Sequence, residues 1–328
     1  MNGKTVVIAI LIAASCTSGM YGCSNSTKTD NNVAKQGIEI KEKDYKEGVK
    51  TQEEENKIPD GSLGMIKELF PDDEYAQSIA NVLEKEISDY VTEEELSGIK
   101  GDCIFPGEMK SIEGIGYLTG IEEFNCCKNQ VREIPAEIGN CKKLKSFDIC
   151  KAYSLSKIPK ELFDCTEISY MRMFMSGIDE LPKEIGQLKK LECLLCSYGT
   201  KLPKEIGQLE NLKELACEST HIPKEVKDLK NLEYLNINSS KVDEFIEHIG
   251  ELKNLKRLDL GGCNLKEFPM GILQLENLER LNLFGNDIRK IPKEIGNLKK
   301  LEYINTYDNY NLDEDYKQYL ANEELRNN

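Results

Sequence analysis

From residue 112 to near the carboxyl end, leucine and isoleucine alternate with polar residues in short runs, and the runs recur at nearly constant spacing. The cleanest copy is Leu278-Glu-Arg-Leu281-Asn-Leu283-Phe-Gly-Asn286-Asp-Ile288, continued by Arg-Lys-Ile291-Pro292-Lys-Glu-Ile295-Gly-Asn-Leu298. The period-two section predicts a short strand that buries one edge, and the Pro-containing section predicts a turn that carries the chain back. Prolines recur at 135, 159, 182, 203, 223, 269 and 292, with Ile246 where an eighth would fall, at steps of 24, 23, 21, 20, 23, 23 and 23 residues. One register explains seven of the ten prolines and places nine strands, starting at Ile121, Leu144, Ile168, Leu191, Leu212, Leu232, Leu255, Leu278 and Leu301.

A self-similar period of 20 to 29 residues with this alternation is identified as the leucine-rich repeat. The phrases Leu181-Pro-Lys-Glu-Ile-Gly-Gln-Leu188 and Ile291-Pro-Lys-Glu-Ile-Gly-Asn-Leu298 resemble the longer bacterial and plant-type repeats, whose convex side is helical or irregular. The expected fold is therefore an α/β solenoid, a leucine-rich-repeat horseshoe over residues 112–312 with a parallel β-sheet on its concave face. One repeat cannot bury its apolar edge, but stacked neighbours can. The repeats ending at Pro203 and Pro223 lack two and three residues, which predicts a local change of curvature. Residues 313–328 are expected to form a C-terminal cap or tail.

Ahead of the repeats, residues 64–111 carry two helix signals. Phe70-Pro-Asp-Asp-Glu74 precedes Ala76, Ile79, Val82, Leu83 and Ile87 at helical spacing, and Val91 precedes the capping box Thr92-Glu-Glu-Glu95. Their order, followed by Met109-Lys-Ser-Ile-Glu-Gly-Ile-Gly-Tyr-Leu-Thr-Gly120, resembles the helical cap and first repeat of internalin-like bacterial surface proteins. A small helical N-terminal cap is thus expected.

The amino terminus reads as targeting rather than fold. Lys4 precedes the apolar run Thr5–Ala14, short for a membrane span but suited to a secretory signal. A small residue then stands directly before cysteine at Ser15-Cys16 and Gly22-Cys23, which resembles the lipobox of bacterial lipoproteins. Residues 1–22 are expected to be the signal, with Cys23 lipidated, Cys16 the alternative site, and a plain cleaved signal the reading without a lipid. Residues 23–63, with lysines and acidic residues interspersed and no persistent period, read as a solvated tether. A lipid anchor implies a membrane surface as one partner.

Composition adds mainly exclusions. With 43 basic and 58 acidic residues the formal net charge is −15, which argues against nucleic-acid binding. There are two histidines, and no HExxH, GxSxG or Walker motif, so an enzyme is not expected, nor a cofactor or a metal. The Gly114–Gly120 segment resembles a phosphate loop only loosely and lies in repeat register.

Twelve cysteines suggest a disulfide scaffold until the register sorts them. Cys126, Cys196 and Cys217 take inward strand positions, Cys141 and Cys165 replace the leucine seen at Leu298, and Cys263 takes the asparagine position. These six are expected to be core thiols. Cys193 and Cys196 have CxxC spacing but fall on opposite faces. Cys127 and Cys150 face outward in one column of adjacent strands, a candidate disulfide if the compartment is oxidising. Cys103 lies in the cap.

What remains is the exposed face of the sheet. Tyr170, Phe174, Met175, Leu195, Tyr198 and Tyr234 predict an apolar patch, and Phe284, Tyr303 and Tyr307 a second. Arg172, Arg257 and Arg280 stand among them, and Tyr, Phe and Arg are residues that anchor partner surfaces. The expected function is binding of a protein ligand, in adhesion or host interaction, by a lipid-anchored protein at the cell surface or in a periplasm. A structural cell-envelope protein that self-associates is the alternative.

Overall fold

The computed structural model of the chain describes residues 58–100, 102–104 and 109–320, with the backbone alone for 102–104. The signal and lipidation readings, with Cys16 and Cys23, and nearly all of the tether lie outside these residues.

Ten parallel strands form one sheet in strict chain order: β3 (Asp102–Ile104), β4 (Glu123–Asn125), β5 (Ser146–Asp148), β6 (Tyr170–Arg172), β7 (Cys193–Leu195), β8 (Glu214–Ala216), β9 (Tyr234–Asn236), β10 (Arg257–Asp259), β11 (Arg280–Asn282) and β12 (Tyr303–Asn305). The nine strands expected from the repeat are all present. The sheet, however, begins one strand earlier, because β3 pairs with β4 in the same register although its sequence carries none of the leucine pattern.

Registry is uniform, so each repeat position becomes a column. The strand centres stack as Phe124, Phe147, Met171, Leu194, Leu215, Leu235, Leu258 and Leu281, all fully buried. Phe124 and Phe147 lie face to face at 5.2 Å. Each such side chain contributes about 1.5–3 kcal/mol of transfer energy before chain entropy is counted.

The proline column begins the return path. Each of the seven prolines is the residue before a five-residue 3₁₀ turn, with φ between −61° and −75°. The ring fixes this φ in advance and carries no N–H, which a turn start leaves unused. Where Ile246 replaces proline, its free N–H donates to the Val242 carbonyl at 2.8 Å, and the 3₁₀ turn starts one residue earlier and runs Ile246–Glu251. The convex side is thus built of 3₁₀ turns rather than α-helices.

The turn after each strand is a second column. The residue there has positive φ (Lys128, Lys151, Met175, Gly199, Ser219, Ser239, Gly262, Gly285 and Asp308), and the next is the asparagine position. Asn286 Nδ2 donates to the carbonyls of Leu260 and Leu283, both at 2.9 Å, while Oδ1 accepts from Leu265 N–H at 3.0 Å. Asn309 repeats the pattern on Leu283 and Ile288. Cys263 keeps one element of it, donating its thiol to the Ile237 carbonyl at 3.2 Å.

The cap combines α1 (Ile66–Leu69), α2 (Asp73–Leu83) and α3 (Glu93–Gly98) with an antiparallel pair, β1 (Ser62–Met65) and β2 (Tyr90–Thr92). It is therefore mixed rather than purely helical, and β1 begins inside the stretch read as tether. Thr92 and Glu95 form the capping box their spacing predicts, with Thr92 N–H on Glu95 Oε2 at 2.9 Å and Glu95 N–H on Thr92 Oγ1 at 3.3 Å. Asp72 caps α2 through Tyr75 N–H and also accepts from Lys110 N–H at 2.8 Å, which ties the cap to the first repeat. Gly120 permits close seating: a Cβ there would lie 2.1 Å from the Ser97 carbonyl oxygen. Cap and repeats share one continuous apolar core. Gly114–Gly120 forms a repeat turn, with the 3₁₀ segment Ile115–Tyr117. No helix of the described residues is long and apolar enough to cross a membrane.

Candidate binding surface on the concave face

Alternate strand residues leave three outward columns on the concave face. The first runs Glu123, Ser146, Tyr170, Cys193, Glu214, Tyr234, Arg257, Arg280 and Tyr303, in register from strand to strand. Its last four members pair off. The Arg257 guanidinium lies 4.8 Å from the centre of the Tyr234 ring, and that of Arg280 4.6 Å from Tyr303. Tyr234 therefore belongs with the C-terminal cluster rather than with the first patch. Four residues further along the chain, just past the ends of β11 and β12, Phe284 and Tyr307 stack at 6.0 Å, with Tyr307 74% exposed.

The first patch is smaller than its residues suggested. Phe174 and Tyr198 meet at 5.9 Å, and Tyr198 is 52% exposed. Leu195 sits half-buried on β7, opposite Arg172. Tyr170 is half-buried on β6, and burial pushes its hydroxyl up to about 12. Met175 leaves the strand face for the left-handed turn, where its sulfur accepts from the Tyr153 hydroxyl at 3.9 Å.

Arg172 is a positioning residue rather than a free anchor. Its Nε donates to Asp148 Oδ2 at 2.8 Å, and a second guanidinium nitrogen pairs with the same oxygen. Burial would raise the Asp148 carboxyl, but hydrogen bonds from Arg172, Cys127 and the Cys150 N–H outweigh it and hold the group below its ordinary value. Asp259 differs: burial dominates and raises it, although Arg257 Nε donates to its Oδ2 at 3.0 Å.

The cysteines divide as the register predicts, with two corrections. Cys141 and Cys165 are fully buried and donate to carbonyls of the preceding repeat, at 3.5 Å (Ile115) and 3.4 Å (Ile138). Burial pushes Cys126 up to about 12 and Cys165 and Cys263 up to about 11, so they stay protonated. Cys196 and Cys217, expected to be separate thiols, are joined by a disulfide across β7 and β8, with Cα atoms 4.9 Å apart. In register, two inward cysteines on adjacent strands face each other within bonding reach. The candidate Cys127–Cys150 disulfide is not formed: both are free thiols, and Cys127 instead turns its Sγ onto Asp148 Oδ1 at 2.9 Å. Cys193 points outward and meets Glu214 Oε2 at 3.5 Å.

Two tyrosines escaped the strand pattern because they lie in turns. Tyr153 is 68% exposed beside Met175, and Tyr310 is 88% exposed just beyond β12. Tyr310 lines an open cleft of about 490 Å³ with Tyr303, Thr306, Tyr307 and Tyr316. Their only sequence signal is an aromatic residue within three positions of the asparagine column.

The chain belongs to the leucine-rich-repeat family: the family model described as "Leucine-rich repeat region" matches residues 108–233 and 216–327. A leucine-rich-repeat protein of Leptospira interrogans is 31% identical over 62% of this chain, with a TM-score of 0.53. This chain covers 56% of that protein's length. Internalin C2 of Listeria monocytogenes is similar in fold, at 17% identity, a TM-score of 0.51, and coverage of 76% of this chain and 98% of its own.

Proposed function

We propose that this protein is an exported, membrane-tethered module that binds a protein partner through its concave face. The observation that carries the reading is the C-terminal cluster. Two arginines, two flanking tyrosines and a stacked Phe284–Tyr307 pair present aromatic area and positive charge side by side on adjacent strands and the turns that follow them. Rigid aromatics lose little entropy on binding, and arginine pairs with carboxylates in a fixed geometry. Arg257 is paired with Asp259, so Arg280 beside Tyr303 supplies the positive charge of the cluster and favours a partner segment that carries an acidic residue. The Phe174–Tyr198 pair provides a second contact. The tether rests on the Gly22-Cys23 junction, with Ser15-Cys16 the alternative. Acyl labelling that disappears in Cys23→Ser tests it, and persistence of the label there, with loss in Cys16→Ser, moves the anchor to Cys16.

Capture experiments with the full chain test the binding face. Phe284→Ala/Tyr307→Ala and Phe174→Ala/Tyr198→Ala are expected to lose a partner that the parent retains. Unchanged capture by both would contradict the proposal. In sizing experiments, an oligomer of the parent chain that dissociates in Tyr170→Ala/Phe174→Ala would instead support a self-associating envelope role.

A further inference from the structure

We propose that Cys127, Cys150 and Asp148 form a binding site for a zinc-type divalent cation on the N-terminal part of the concave face. The repeat places the ligands. Cys127 and Cys150 occupy the same outward column of adjacent strands, where Lys128 N–H continues the ladder to the Cys150 carbonyl at 2.9 Å. Asp148, two residues before Cys150, projects from the same face. The two sulfurs and a carboxylate oxygen lie within 4.8 Å of one another, and Cys127 Sγ is 2.9 Å from Asp148 Oδ1. Two thiolates about 2.3 Å from a tetrahedral zinc stand roughly 3.8 Å apart, so only small side-chain rotations separate these three atoms from a coordinating set.

The surroundings favour the cation. Arg172 holds Asp148 Oδ2 and fixes the carboxylate plane, the outer-shell arrangement that orients metal ligands. Asp148 Oδ1 accepts from the Cys127 thiol and the Cys150 N–H, and deprotonation of the thiol on metal binding frees a lone pair of that oxygen for the ion. With both thiols deprotonated, two thiolates and one carboxylate against one guanidinium leave two net negative charges, which a divalent ion neutralises. Sulfur ligands select zinc-type ions over calcium or magnesium. Cys127 is only partly buried, so the fourth position opens toward solvent at the sheet face. Among the described residues no other three Cys, His, Asp or Glu side chains converge in this way.

Cobalt substitution tests the site. The full chain, reduced with a phosphine under exclusion of oxygen, is titrated with Co²⁺ and then with Zn²⁺ in competition. The expected result is thiolate-to-cobalt charge-transfer absorption with tetrahedral d–d bands, displaced by one equivalent of Zn²⁺. The bands should be lost in Cys127→Ser and in Cys150→Ser, with an unchanged far-ultraviolet spectrum showing that both variants fold. Asp148→Asn should weaken zinc by at least about tenfold, the lower end of what even outer-shell changes cost. Absence of the bands in the parent chain, or their survival in both serine variants, would overturn the proposal. So would recovery of a Cys127–Cys150 disulfide from chain prepared in excess zinc, because oxidation would then be the pair's stable state.

Discussion

At the residue scale, the asparagine column shows most directly how the sequence stabilises the turns. Asn286 is buried and satisfies the Leu260 carbonyl and the Leu265 N–H, and shares the Leu283 carbonyl with Asn309. Asn286→Ala is expected to cost about 2–4 kcal/mol in urea denaturation, the desolvation of buried groups left unpaired. Cys263→Asn should have the opposite sign and stabilise by about 0.5–1.5 kcal/mol, since an amide donates more strongly than a thiol and also accepts. Asp259 supplies a pH dependence. Burial raises its pKa above the unfolded value of 3.8, so the folded state holds the proton more tightly. Its contribution is present at low pH and is lost as pH rises from about 3.8 through the folded value. Asp259→Asn should remove that downward slope from the stability–pH profile, and an unchanged slope would assign it to another group.

At the element scale, the seating of the cap on the first repeat depends on backbone approach rather than on side-chain complementarity alone. Gly120→Ala places a Cβ against the Ser97 and Ile99 carbonyls and is expected to destabilise by about 1–3 kcal/mol, with faster proteolysis of the cap. Gly98→Ala, where a Cβ meets nothing, should be neutral or mildly stabilising by up to about 1 kcal/mol. Thermal melts of the two variants check both. The elements themselves were legible in the sequence wherever a periodic signal existed. Seven prolines fixed the 3₁₀ starts, and Thr92-x-x-Glu95 fixed the start of α3. β3 was not legible, because Asp102–Ile104 joins the sheet by backbone pairing with β4, which needs no leucine. Nor was β1, whose Ser62-Leu-Gly-Met65 sequence has a single strong apolar residue and acquires order by pairing with β2.

At the scale of the whole molecule, the uniform register converts a one-dimensional repeat into a rigid sheet whose outward columns can be read as a surface. The columns themselves could be laid out from the sequence, but not the partners within them. Whether Tyr234 groups with Phe174 or with Arg257 depends on side-chain reach across strands, and the cation–ring contact decides it. Similarly, the inward Cys196 and Cys217 and the outward Cys127 and Cys150 have the same column relation, yet only the inward pair is bonded. If the arginine–tyrosine row receives an acidic segment, Arg257→Gln/Arg280→Gln should weaken partner capture and flatten its salt dependence, since exposed charges act within about 10 Å at 0.1 M salt. The most direct measurement is site-specific photocrosslinking. A photoreactive side chain is placed at Phe284 on the concave face or, as control, at Glu294 on the convex turn. Concave-face binding predicts a crosslinked protein partner from position 284 and none from position 294. Crosslinking from position 294 alone, or equally from both, would contradict it.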